Sequence, residues 1–108
     1  FAEYTSGHST YSGAASEVFM RFAGTATFQT ALTVTMPAGS STIGPGLVPR
    51  DDTWFRFTSF TAAADHAGKS RRYGAIHLRT ATCKAAASAK VGGTAWAKAL
   101  TYFNGTAG

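Results

Sequence analysis

The stretch "TSGHSTYSGAASEVFMRFAG", Thr5 to Gly24, decides how the chain is read. Its first residues are Ser, Gly and Thr around one histidine. Beyond them Tyr11, Ala14, Ala15, Val18, Phe19 and Phe22 recur at i, i+3, i+4, i+7, i+8 and i+11, the spacing of one apolar helical face. Ser6 suits the N-cap and Gly24 the C-terminal cap, so a helix is expected over 7–23 with its buried stripe along those six residues. His8 then lies in the first turn of that helix.

Working outward, "TFQTALTVTM" alternates, with Phe28, Thr30, Leu32, Val34 and Met36 on one side and β-branched residues filling the rest, which predicts a strand. "TWFRF", Thr53 to Phe57, is its partner, giving a hairpin over 27–57. The intervening "PAGSSTIGPGLVPRDD" holds all three prolines of the chain and reads as a long loop. Ser59 can cap a short helix over 59–67 with Phe60, Ala63, Ala64 and Ala67 as its stripe and Gly68 as its stop. A last helix over 82–104 carries Ala85, Ala89, Gly92, Trp96, Leu100 and Phe103, and Ala89, Gly92 and Gly93 would let another helix approach closely at some cost in helix propensity. The architecture expected is mainly α, with one small hairpin and no internal repeat.

The 108 residues suffice for one small domain at most, and the opening stretch reads like the middle of one, so a piece of a longer domain is expected. Hydrophobic content of 44% with only 14% charged residues argues against wholesale disorder. Ten Lys and Arg against five acids give a net charge of +5, which favours an anionic partner. No long basic run interleaved with aromatic residues is present, which argues against a nucleic-acid partner. No segment is long and apolar enough to span a bilayer. The single cysteine, Cys83, cannot form an internal disulfide; among alanines it reads as a packed or inert thiol, and a secreted or periplasmic location stays as open as any other for this soluble portion. Oligomeric state is not legible.

Two stretches carry chemistry. At the start of the first helix, the Gly7 and His8 amides and the Ser6 hydroxyl can surround an oxyanion, and His8 can exchange a proton there. In "GKSRRYGAIHLRTA", Gly68 to Ala81, Arg71 and His77 are six residues apart, which on one continuous helix would rotate them roughly 240° from each other. A break at Gly74 would let guanidinium and imidazole converge on one oxyanion. The plainer reading is that Lys69, Arg71, Arg72 and Arg79 solvate a loop, that Ser6 only caps its helix, and that His8 is ordinary polar surface.

Thr5-Ser6-Gly7-His8, followed by Ser70-Arg71, five residues and His77, resembles the second and third signature motifs, P-S-G-H and S-R-x5-H, of the superfamily joining type 2 phosphatidic acid phosphatases, bacterial acid phosphatases and vanadium-dependent haloperoxidases. The flanks "SGHSTYSGAA", "FRFTSFTAAADHAGKSRRYGAIH" and "GGTAWAKALTYFNG" are similar to the soluble haloperoxidase-like branch over nearly the whole chain. The resemblance implies a helical bundle whose helix ends converge on an anion pocket, with this chain as the C-terminal part of a single such domain. It implies His8 and His77 as catalytic residues, and Ser6, Gly7 and Arg71 as ligands of a vanadate or phosphate oxyanion. In a haloperoxidase His77 would ligate the vanadium of the vanadate cofactor, with hydrogen peroxide and halide as partners. In a phosphatase, which needs no cofactor, His77 would become a phosphohistidine while His8 protonates the leaving oxygen of a small anionic ester. A non-catalytic anion-binding or structural fragment is the third reading.

Three departures from the family pattern stand out. The first motif, a lysine six residues before Arg-Pro, is missing, since Pro37, Pro45 and Pro49 follow Met36, Gly44 and Val48. Those cations are expected upstream, and the 108 residues alone are expected to bind the anion weakly and to turn over little. Ala81 stands where many relatives carry an aspartate that orients the last histidine, leaving Asp51, Asp52, Asp65 or an upstream acid as substitutes. Thr5 replaces a proline. Two rival chemistries fit less well: His8, His66 and His77 match no short zinc spacing, and no G-x-S-x-G elbow is present.

Overall fold

The computed structural model describes residues 5–84 and 87–107; within them the side chains at 81, 83 and 84 are not described. The architecture is mainly α with a two-stranded hairpin, as expected. Its elements run α1 (Gly7–Ala23), β1 (Thr27–Met36), β2 (Thr53–Ser59), α2 (Phe60–Tyr73), α3 (Arg79–Lys84) and α4 (Ser88–Phe103). Ala85 of the expected last stripe and the packing expected of the Cys83 thiol lie outside the described part.

Local chemistry sets the ends of α1. The Ser6 side chain accepts from the Ser9 amide at 3.4 Å, and Gly24 ends the helix at a left-handed φ of 69°. Ser59 caps α2 in the same way, accepting from the Ala62 amide at 3.1 Å. β1 and β2 pair antiparallel, with Leu32 opposite Phe57 and Val34 opposite Phe55, and a register shift between Thr27 and Leu32. The loop that joins them is pinned by Asp52, whose carboxylate accepts from the Ala38 amide at 2.7 Å.

Two helices differ from their expected bounds. α2 does not stop at Gly68 but continues to Tyr73, because that glycine serves packing: it is buried, and a Cβ there would fall 2.7 Å from the Ser9 hydroxyl. The last helix is divided, with α3 opening at Arg79 and α4 starting at Ser88. α4 lies on α1, where Gly92 meets the Ala14 backbone so closely that no side chain fits between them.

The expected stripe of α1 is also corrected. Tyr11 and Phe22 are 79% and 78% exposed, while Ser9 and Ser16 are the buried side chains. Close approach by α2 and α4 selects small residues at the contacts, and the large rings point along the sides of this three-helix layer. Phe19 stacks on Phe60 at 5.9 Å, Phe28 meets Phe60 edge-on at 4.6 Å, and Phe22 meets Trp96 at 6.0 Å. The result is a slab of 57 × 35 × 18 Å with a radius of gyration of 16.9 Å, against about 13 Å for a self-contained domain of this length. Broad apolar faces stay open.

The break between Arg71 and His77 comes one residue later than Gly74. Gly74 keeps an ordinary φ of −74°, whereas Ala75 is left-handed at 57°. The Ala75 amide donates to the Arg72 carbonyl at 3.0 Å and the Ile76 amide to the Arg71 carbonyl at 3.2 Å, the paired bonds of a Schellman ending. α4 closes with the same bonds, Gly105 to Tyr102 and Thr106 to Thr101, but with glycine at the left-handed position. Alanine there costs about 1–2 kcal/mol, and glycine would add about 0.4–1 kcal/mol of unfolded-chain entropy. Ala75→Gly is therefore expected to stabilise by about 0.5–1 kcal/mol, read as a higher urea midpoint at unchanged slope. A lower midpoint would refute this account of the bend.

Candidate functional site

α1 and α2 run antiparallel side by side. Phe19 meets Phe60 near one end, and Ser9 meets Gly68 near the other. Three residues before Ser9 in the chain lies Ser6, and three after Gly68 lies Arg71, so on antiparallel helices both follow that contact by about one turn.

Ser6 is fully buried. Its oxygen accepts from the Ser9 amide and from the Ser9 hydroxyl at 3.2 Å, which leaves its own hydroxyl proton to donate. Its carbonyl takes the Thr10 amide at 3.0 Å and the Thr10 hydroxyl at 2.9 Å. The Gly7 and His8 amides, first and second in the helix, have no intrahelical acceptor. A Cβ on Gly7 would meet no described atom within 4 Å, so the side of Gly7 where a side chain would stand is open. Arg71 is half-buried, and its Nε is buried with no hydrogen-bond partner among the described residues. A buried guanidinium N–H without an acceptor costs desolvation energy that an oxyanion would recover.

His77 follows the Ala75 bend and is 6% exposed. It lines a cleft of about 410 Å³ with Lys69, Arg72, Tyr73, Leu78 and Arg79. His8, by contrast, is exposed and does not line that cleft. Ser6 and Gly7 thus lie at the start of α1, Arg71 in the last turn of α2 and the buried His77 after the bend that follows it, while His8 is exposed.

Several side chains take places that spacing alone does not indicate. Lys69 and Arg72 belong to the last turns of α2 and Arg79 opens α3, so they do not solvate a loop. His66 is half-buried against the rings of Phe55 and Phe57, at 4.7 and 5.2 Å, which turns it away from any shared site with His77. No group of three or more His, Cys, Asp or Glu suited to a metal ion occurs among the described residues. Of the acids considered for orienting His77, Asp52 is engaged in the hairpin loop, and Asp65 lines a neighbouring cavity with Ser9, Gly68, Lys69 and Arg72. None lines the His77 cleft. No helix of the described residues is long and apolar enough to cross a membrane.

The chain belongs to the family described as the VCPO second helical-bundle domain, whose model matches residues 1–105. Two crystal structures of bacterial vanadium-dependent chloroperoxidase are similar to it. The apo form has a TM-score of 0.80 at 25% identity, covering 87% of this chain and 20% of that one. The holo form has a TM-score of 0.77 at 25% identity, covering 85% and 19%. The chain therefore spans about a fifth of the structures it matches. No curated protein matches it.

Proposed function

We propose that the protein carrying this chain is a vanadium-dependent haloperoxidase, oxidising halide with hydrogen peroxide. The observation that carries the reading is the buried Arg71 Nε, which has no acceptor among the described residues; the buried Ser6 hydroxyl, which still has a proton to give, would join it. Together with the Gly7 amide these are donors of the kind that vanadate oxygens accept from. Vanadate bound there would supply a Lewis-acidic centre that activates peroxide.

The chain's own residues would do the rest. His77 would anchor the group through an imidazole nitrogen, its burial excluding water from the bond. Arg71 would neutralise oxyanion charge through N–H donors held in a fixed plane. Ser6 and the Gly7 amide would fix orientation. His8, exposed in the first turn, would pass protons between the site and solvent. The net reaction consumes one halide, one peroxide, one proton and an acceptor C–H, and yields the C–halogen bond and two waters.

The test is bromination of a neutral organic acceptor by the full-length protein with vanadate, bromide and peroxide, run beside hydrolysis of an aryl phosphate. Halogenation that depends on vanadate is expected. Efficient ester hydrolysis with no halogenation after vanadate loading would replace this reading with the phosphohistidine one.

A further inference from the structure

The cleft beside His77 holds more positive charge than an oxyanion cradle made of Ser6, Gly7 and Arg71 uses. Lys69 and Arg72 come from the end of α2 and Arg79 from the start of α3, all three exposed, with the buried His77 beside them. Among the described residues no carboxylate lines this cleft, and the one ion pair, Arg21 with Glu17 at 2.8 Å, is elsewhere. Cations at the end of α2 are partly explained by the helix dipole, which favours them there. That explanation fails for Arg79, which opens a helix, where the dipole disfavours positive charge. Tyr73 and Leu78, 89% and 67% exposed, add an aromatic and an aliphatic wall. Three cations with an apolar wall, in a cleft of small-molecule size, suit an organic anion better than a bare inorganic one.

We propose that this cleft is a subsite for an aromatic carboxylate, held by Arg72, Arg79 and Lys69 with its ring against Tyr73 and Leu78. Resting on the haloperoxidase reading above, this makes anionic aromatic compounds the favoured class of organic acceptor, oriented beside the oxyanion cradle. The two sites adjoin at His77, but Lys69, Arg72 and Arg79 belong to the subsite alone, so the two can be tested apart.

The probes are 4-hydroxybenzoate and its methyl ester, titrated calorimetrically into the full-length protein without peroxide or halide. The acid is expected to bind more tightly than the ester, and less tightly as salt is raised. Arg72→Gln and Arg79→Gln should each weaken the acid about fivefold, the size of one partly solvated charge contact, leave the ester unchanged, and in bromination assays raise KM for the acid alone. Arg72→Lys should retain most of the binding. Equal affinity for acid and ester, or acid binding indifferent to both substitutions, would overturn the subsite even if the protein halogenates well. Charge-dependent binding without any halogenation would overturn the haloperoxidase reading and leave the subsite standing.

Discussion

Turnover by the full-length protein is expected to fall at least about 10³-fold when His77 is replaced by alanine, since the substitution removes the group proposed to anchor the anion. The backbone bend before the buried ring is held by the Ala75 and Ile76 amides, which the substitution leaves in place, so the fold is expected to survive. Vanadate affinity, measured by titration, should drop together with the rate by more than about 100-fold, beyond the loss typical of an outer-shell partner. Added imidazole entering the vacated space should restore part of the activity. A folded His77→Ala protein that keeps near-parental rates, or loses rate while binding vanadate undiminished, would remove His77 from the site.

The largest expected effect on stability concerns two adjacent glycines that should respond with opposite sign. At Gly92 a Cβ would be driven into the Ala14 carbonyl and its neighbouring backbone atoms, which cannot rotate away. Separating α1 from α4 to make room costs about 3 kcal/mol, the upper end for overpacking, and alanine returns about 1 kcal/mol of helix propensity. Gly92→Ala should therefore destabilise by about 2 kcal/mol. At Gly93 the nearest atoms, 3.0 Å away, belong to the end of the Arg21 side chain, which can swing aside. Gly93→Ala should be neutral or stabilise by up to about 1 kcal/mol. Urea unfolding of both variants in the full-length protein checks the pair, and two shifts of the same sign would refute the packing argument.

The parts of the fold legible in the sequence are those written in local chemistry. Ser6 and Gly24 bound α1 because a cap and a left-handed terminator act on their own helix, and the alternation of "TFQTALTVTM" marks a strand without reference to anything distant. The parts that were not legible depend on what packs against what. Gly68 looks like a stop, yet it is an internal contact with Ser9. The apolar periodicity of α1 points to its rings, yet close helix approach buries Ser9 and Ser16. Ala75 adopts the conformation usually left to glycine, so the terminator signal falls on Gly74 instead. The same holds for the candidate site: Ser6, Gly7, His8, Arg71 and His77 stand out by motif, whereas the gathering of Lys69, Arg72 and Arg79 around His77 exists only once α2 is extended and the chain turns into α3.

The Ser9–Gly68 contact works as a ruler for chemistry it does not touch. With only the small Ser9 side chain between the helices at that point, their relative register is fixed, and Arg71 is delivered one turn beyond the contact on α2. One residue inserted between Gly68 and Arg71 would swing the arginine by about 100° and lift it about 1.5 Å, breaking the alignment while leaving every named residue in the sequence.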